Sequence, residues 1–351
     1  MTQLIAALLL LGYAPTSWAK TWRIAVVSDM NQSYGSKEYT PALKAAIQHI
    51  RQSGTALVLS TGDMVAGQKK DLDYLGMWSA FHEATTRPLG ASGIPLLPSP
   101  GNHDASVGAS FANERNHYRT TWSSFPAGRF NPGRTPENQI QFLSNVTQNW
   151  PLNYAVTMGP ALFVALDATV GGGLVNNQLD WLETVLRYSE AYKVKIVFGH
   201  FPLFPYTFDR ASDYLGDGSP QFAARLEAML EKHQVDFYLS GHHHAYYPGR
   251  RLGQVRYVSV PLLGTGARYL LTAERSEKNR SVQSFLYFDF DSAGNITMSA
   301  VKSPSFTTIA SESLPLQISI PRREASDCKR CGSFPSQFFI DAIGRVIYQR
   351  F

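Results

Sequence analysis

Ile94-Pro95-Leu96-Leu97 leads through Pro98-Ser99 into Pro100-Gly101-Asn102-His103-Asp104, so an apolar run ends on an amide, an imidazole and a carboxylate side by side. An apolar run of this kind reads as a buried strand, and its end delivers polar groups to the rim of a sheet, where ligands bind. Four more runs end the same way. Ile24 to Ser28 leads into Asp29-Met30-Asn31, Ala56 to Thr61 into Gly62-Asp63, Val194 to Phe198 into Gly199-His200, and Val235 to Ser240 into Gly241-His242-His243-His244. Each run is about one strand long and stops at residue types that bind metal.

Between these stops the sequence alternates. Glu38 to Gln52, with Pro41 in its first turn, and Asp71 to Thr86 carry helical patterns. A strand, helix, strand order is a crossover, so the runs ending at Asp29 and Asp63 are expected on neighbouring parallel strands. Residues 105–150 hold an elaborated loop with a helix around Ser110 to Ser124. Strands follow at Leu152 to Thr157 and Leu162 to Asp167, then a helix from Asn177 to Ser189. Phe201 to Ser219 is expected to wall the pocket. A helix from Pro220 to His233 precedes strands at Val255 to Val260, Gln283 to Phe290 and Ile296 to Val301, and Phe338 to Phe351 reads as an added hairpin or edge strand.

Asp29, Asp63, Asn102, His200, His242 and His244 form a donor set of oxygens and imidazoles with no thiolate. Such a set suits Mn, Fe, Zn or Ni and argues against a structural zinc knuckle. Six donors are too many for one ion with an open position. Two divalent ions about 3.5–4 Å apart, bridged by one carboxylate, would use them all; Asp63 is the expected bridge. The ions leave the site electropositive even after Asp29, Asp63 and a bridging hydroxide are counted, which suits a phosphoryl group.

The order Asp29-x-Asn31, Gly62-Asp63, Gly101-Asn102-His103-Asp104, Gly199-His200, Gly241-His242-x-His244 resembles the calcineurin-like metallophosphoesterase superfamily over about residues 22–301. The resemblance implies an α/β fold: a four-layer αββα sandwich of two mixed β-sheets, with the metal site at the C-terminal ends of strands. It implies that Asp29 and His244 hold one ion, that Asn102, His200 and His242 hold the other, and that Asp63 bridges. It also implies that a metal-activated hydroxide attacks phosphorus while His103 protonates the leaving oxygen, with Asp104 orienting the His103 ring. The family usually has His where this chain has Asn31. Three readings of Asn31 stand: it ligates through its oxygen, it orients a metal-bound water, or it leaves the first ion loosely held. Purple acid phosphatases carry a Tyr three residues after the bridging Asp, where this chain has Ala66, so that likeness is partial.

The chain has 351 residues, of which 44% are hydrophobic and 17% charged, enough apolar material for a large core. Its net charge of +5 is spread along the sequence. No basic run with interleaved aromatics marks a dedicated nucleic-acid partner. Leu4 to Leu11 is apolar but far short of the roughly 20 residues of a membrane span. With Ser17-Trp18-Ala19 behind it, residues 1–19 read as a cleaved secretory signal, which makes the protein secreted or periplasmic with no membrane span in the mature chain. A metallophosphoesterase domain over 20–320 and a C-terminal extension over 321–351 complete the expected organisation. Within the extension, Cys328 and Cys331 are expected to close a small local disulfide, with free thiols as the alternative. His243 is expected to point away from its ligand neighbours, and Arg115, Arg119, Tyr206 and Tyr246 are further candidates for substrate contact.

The function expected is hydrolysis of phosphomonoesters or small phosphodiesters, with a small phosphorylated molecule as substrate. The alternative is a metal- or phosphate-binding protein of the same fold that has lost turnover.

Overall fold

The computed structural model describes residues 22–124, 139–170, 173–175, 177–217, 219–252, 254–271, 281–291, 295–309, 317–320, 337–340 and 346–349. The segment read as a leader and the pair Cys328 and Cys331 lie outside them. The first sheet begins with three parallel strands, β1 (Trp22–Val27), β2 (Thr55–Ser60) and β3 (Leu96–Pro98). The first crossover is α1 (Pro41–Gln52), and the second is α2 (Tyr74–Ala84) followed by α3 (Thr86–Ala91). After β3 the chain forms α4 (Ala112–Thr121) and then enters the second sheet through β4 (Ile140–Phe142), β5 (Tyr154–Met158) and β6 (Ala161–Ala165).

Helix α5 (Gln178–Arg187) leads to β7 (Val194–Phe198), and α6 (Pro220–Lys232) leads to β8 (Phe237–Ser240). Strands β9 (Tyr247–Leu252) and β10 (Val255–Ser259) finish that sheet, and β11 (Ser284–Phe290), β12 (Ile296–Lys302) and β13 (Gln317–Ile320) return to the first. The sheet orders are β13-β12-β11-β1-β2-β3 and β4-β5-β6-β7-β8-β10-β9. Both are mixed: β11 pairs antiparallel with β1 beside the parallel β1, β2 and β3, and β5 and β9 pair antiparallel with the ends of the parallel run β6, β7, β8 and β10. Near the C-terminus β14 (Gln337–Ile340) and β15 (Val346–Gln349) pair antiparallel, as the hairpin reading expects.

Alternation along the strands separates the layers. Ile24, Val26, Leu57 and Leu59 meet Phe163, Ile196, Phe198 and Phe237 between the two sheets. Ala25, Val27 and Val58 turn the other way, onto α1 and α2. On the far side, Val164, Val197 and Tyr238 pack against α5 and α6. The result is the four layers expected: helices, sheet, sheet, helices.

Two helix boundaries differ from expectation for local reasons. Helix α1 starts at Pro41 rather than Glu38 because the Thr40 hydroxyl accepts the Leu43 N–H at 3.0 Å, a side-chain cap before a proline that needs no donor. Its face of Ala42, Leu43, Ala46, Ile47 and Ile50 is buried, at about 1.5–3 kcal/mol for each large aliphatic residue. The helix expected over Asp71 to Thr86 starts at Tyr74, capped by Asp73, and breaks at Thr85. Pro88 cannot donate to the Ala84 carbonyl and its ring crowds that group. The Thr85 hydroxyl caps the break by donating to the Phe81 carbonyl at 2.7 Å. Among the described residues, no helix is long and apolar enough to cross a membrane.

Candidate metal centre

Five loops leave the C-terminal ends of parallel strands and converge. Asp29 follows β1, Asp63 follows β2, Asn102 and His103 follow β3, His200 follows β7, and His242 to His244 follow β8. Asp29, Asp63, His242 and His244 have φ of 46°, 53°, 67° and 50°, left-handed turns in the loops after β1, β2 and β8. That conformation costs a non-glycine residue roughly 1–2 kcal/mol. Such strain clusters where the surrounding structure over-determines a site. Backbone bonds hold the turns, with Asp29 N–H on the Gly62 carbonyl at 3.0 Å and Gly241 N–H on the His200 carbonyl at 2.9 Å. Close approaches at Gly101 and Gly241 require glycine. A Cβ on Gly101 would lie 2.2 Å from Asp63 Oδ1, and one on Gly241 would lie 2.1 Å from Ser28 Oγ.

Hydrogen bonds at the back of each ring decide what faces the centre. His200 Nδ1–H donates to the Thr61 carbonyl at 2.9 Å, which leaves Nε2 beside Asn102 Oδ1 at 2.9 Å and Asp63 Oδ2 at 3.4 Å. His242 Nε2–H donates to Asp213 Oδ2 at 2.8 Å, and its Nδ1 lies 3.3 Å from His200 Nε2. His244 Nδ1–H donates to the Gly266 carbonyl at 3.0 Å, which leaves Nε2 3.2 Å from Asp29 Oδ1. Asn102 Nδ2 donates to Gln68 Oε1 at 2.9 Å, so its oxygen turns inward. Ligand atoms of Asp29, Asp63 and His244 all lie within 4.8 Å of one another. Lone pairs aimed at one another across a buried space repel, and a cation placed between them removes the repulsion. The donors therefore fit divalent metal.

The electrostatics agree. Burial would lower the His200 pKa, but the Asp63 carboxylate, with Asp29 behind it, overrides this and carries it up to about 9. Burial raises Asp63, yet the His200 and His103 rings hold its carboxyl well below the usual range. Asp29 is likewise buried and is drawn down chiefly by His244. Burial takes His242 down to about 4, and Asp213, raised by burial, is drawn to about 2 by its bond to His242. Without metal, a proton on His200 supplies the positive charge the two carboxylates demand.

His103 sits at the mouth with its side chain about one-fifth exposed. Its Nδ1–H donates to the Gly67 carbonyl at 2.9 Å, and Nε2 lies 3.9 Å from Asp63 Oδ2. The role expected for Asp104 is corrected by this arrangement. Its carboxylate accepts the backbone N–H groups of Met64, Val65 and Gly101 at 2.8–2.9 Å, because the turn 101–104 points the short side chain back into the loop after β2. Asp104 fastens two loops, and the Gly67 carbonyl orients His103.

Asn31 is buried, with its N–H on the Asp63 carbonyl at 3.2 Å, and its side-chain amide has no hydrogen-bond partner among the described residues. His243 points away as expected: Nδ1 accepts the Tyr206 N–H and Nε2–H donates to the Asp213 carbonyl, both at 3.0 Å. Arg115 is committed to an ion pair with Asp167, while Tyr206 and Tyr246 are buried, which removes all three as substrate contacts. Sequence reading missed Asp213, Gln68 and the Gly266 carbonyl. Asp213 does lie in the Phe201 to Ser219 wall, but no spacing there separates it from Asp209 or Asp217.

The sequence model of the calcineurin-like phosphoesterase family matches residues 23–246. Among solved structures, a purple acid phosphatase from yellow lupin (Lupinus luteus) seeds is similar, with a TM-score of 0.61 and 17% identity over 87% of this chain and 54% of that one. This chain thus spans about half the length of the lupin protein. A dimetal phosphatase from Danio rerio has a TM-score of 0.52 and 13% identity over 87% of this chain and 100% of its own. The anchor GAP50 of the inner membrane complex of Plasmodium has a TM-score of 0.55 and 13% identity over 87% and 90%. At these identities the likeness is one of fold.

Proposed function

Because the chain belongs to the calcineurin-like phosphoesterase family, we propose that it is an exported, dinuclear metal-dependent hydrolase of phosphomonoesters or small phosphodiesters. One observation supports this above others: Thr61, Asp213, Gly266 and Gln68 each hold the back of a ring or amide, so that His200 and His244 turn Nε2 toward the buried carboxylates of Asp63 and Asp29 while His242 and Asn102 turn a lone pair toward His200 Nε2. In this reading Asp29, Asp63 and His244 would hold one ion, and Asp63, Asn102, His200 and His242 would hold the other. When bound, two divalent ions supply Lewis acidity, lower the pKa of water toward neutral and offset charge on the phosphoryl oxygens.

The protein's own groups do the rest. Burial of Asp29 and Asp63 excludes water from behind the carboxylates, which strengthens every charge interaction in the pocket. His103 has its Nδ1–H on the Gly67 carbonyl, so it donates from Nε2 only as the doubly protonated imidazolium. In that state it hands a proton to the leaving oxygen. Export rests on residues 1–19, and a mature N-terminus at Lys20 is its check.

Metal analysis combined with a colorimetric ester screen tests the proposal. Two ions per chain, with turnover abolished in His103→Gln, support it. A second reading, a binding protein of the same fold without turnover, draws on Asn31 standing where the family usually has His. Metal-loaded protein that binds phosphate but is inert on monoesters and diesters alike would favour that reading.

A further inference from the structure

The turn Ser33-Tyr34-Gly35 follows the loop that carries Asp29. Ser36 N–H closes it on the Ser33 carbonyl at 2.9 Å, and Gly35 N–H pins it to the Ala66 carbonyl at 2.9 Å, three residues beyond Asp63. Gly35 has φ +77°, a conformation glycine adopts without strain. On this fixed turn Tyr34 is 58% exposed, the most exposed aromatic side chain among the described residues. A lone exposed aromatic needs no explanation by itself. Its position does: the Tyr34 ring centroid lies 5.4 Å from that of His103, with the planes inclined at 46°.

We infer that Tyr34 is a stacking platform for the leaving group, so that the site favours phosphoesters whose alcohol carries a planar aromatic face, aryl or nucleobase, over small aliphatic ones. The inference rests on the proposed reading of His103 as the proton donor. A donor must touch the leaving oxygen, so the organic part of the leaving alcohol extends from phosphorus toward His103 and emerges beside Tyr34. The backbone under the ring is held by bonds on both sides of the turn, so stacking has side-chain rotation to offset but little backbone ordering. Stacking of a base on an aromatic side chain changes affinity about five- to a hundredfold on alanine substitution.

The test compares AMP with glycerol 3-phosphate, both alkyl phosphates, as the ratio of their kcat/KM values. Tyr34→Ala is expected to lower that ratio at least fivefold, and Tyr34→Phe to restore it. An unchanged ratio in Tyr34→Ala overturns the inference. So does an equal fall in Tyr34→Phe, which would assign the effect to the hydroxyl rather than the ring. Calorimetry on the metal-loaded protein with phenylphosphonate and methylphosphonate gives a second readout that needs no turnover. Wild type should bind phenylphosphonate at least fivefold tighter, and Tyr34→Ala should erase the difference. If wild type hydrolyses neither ester, the hydrolase reading is decided separately by the screen on monoesters and diesters. The calorimetric difference then decides Tyr34: its presence supports the platform and its absence sinks it.

Discussion

Asp213 Oδ2 takes the Nε2–H of His242 at 2.8 Å, and this bond leaves the remaining lone pair of the ring on Nδ1, 3.3 Å from His200 Nε2. A carboxylate behind a ligating imidazole fixes its tautomer and raises its basicity, and its loss typically costs 10- to 100-fold in metal affinity. Asp213→Ala is therefore expected to weaken one of two binding steps by about that factor in a calorimetric metal titration. Asp213→Asn, which still offers an acceptor, should fall between. Equal weakening of both steps would contradict the geometry.

His103→Gln should keep its metal content and lose turnover by about 10²- to 10⁴-fold, the usual contribution of a positioned acid. The loss should be greater on alkyl phosphates than on p-nitrophenyl phosphate, since nitrophenolate leaves without a proton. Parallel kcat measurements on the two substrates check this.

Asp104→Ala should behave differently from His103→Gln. It strands the buried N–H groups of Met64, Val65 and Gly101, each a desolvated donor worth about 1–3 kcal/mol. Urea unfolding should show a loss of at least about 2 kcal/mol, whereas His103→Gln stays close to wild type.

Glu227 on α6 is 4% exposed, and burial, with the charge of Glu231 behind it, raises its pKa from 4.5 to about 7. A carboxyl with a raised folded-state pKa binds more protons folded than unfolded, so its contribution is fully present below about pH 4.5 and lost as pH climbs to 7. Glu227→Gln should remove that slope. At pH 8 it should exceed wild type by up to about 3 kcal/mol in denaturant unfolding.

The strand ends were readable because each β-branched or apolar run stops at a polar cluster, and the two-residue alternation that buries Val26 and Leu59 is written in the sequence. Three strands were missed, β4, β9 and β13, and all three lie at sheet edges. An edge strand pairs on one side only and tolerates residues such as Pro248, so its pattern is weak. Asp213 was invisible for another reason. Its partner lies 29 residues away, beyond α6 and β8, and the segment around Asp213 carries no periodicity that would aim its side chain at His242. The resemblance supplied the His103 ring as donor but misassigned what steadies it, since a backbone carbonyl leaves no trace in residue identity.

Asp29, Asp63 and Asn102 descend from one sheet, whereas His200, His242 and His244 descend from the other. Cations shared among them would rivet the two halves of the sandwich along their common rim. Heat resistance would then follow the free ion concentration, rising with the logarithm of its excess over the dissociation constant. A chelator would loosen the whole rim at once, and export to a metal-poor compartment would leave the protein both idle and softer.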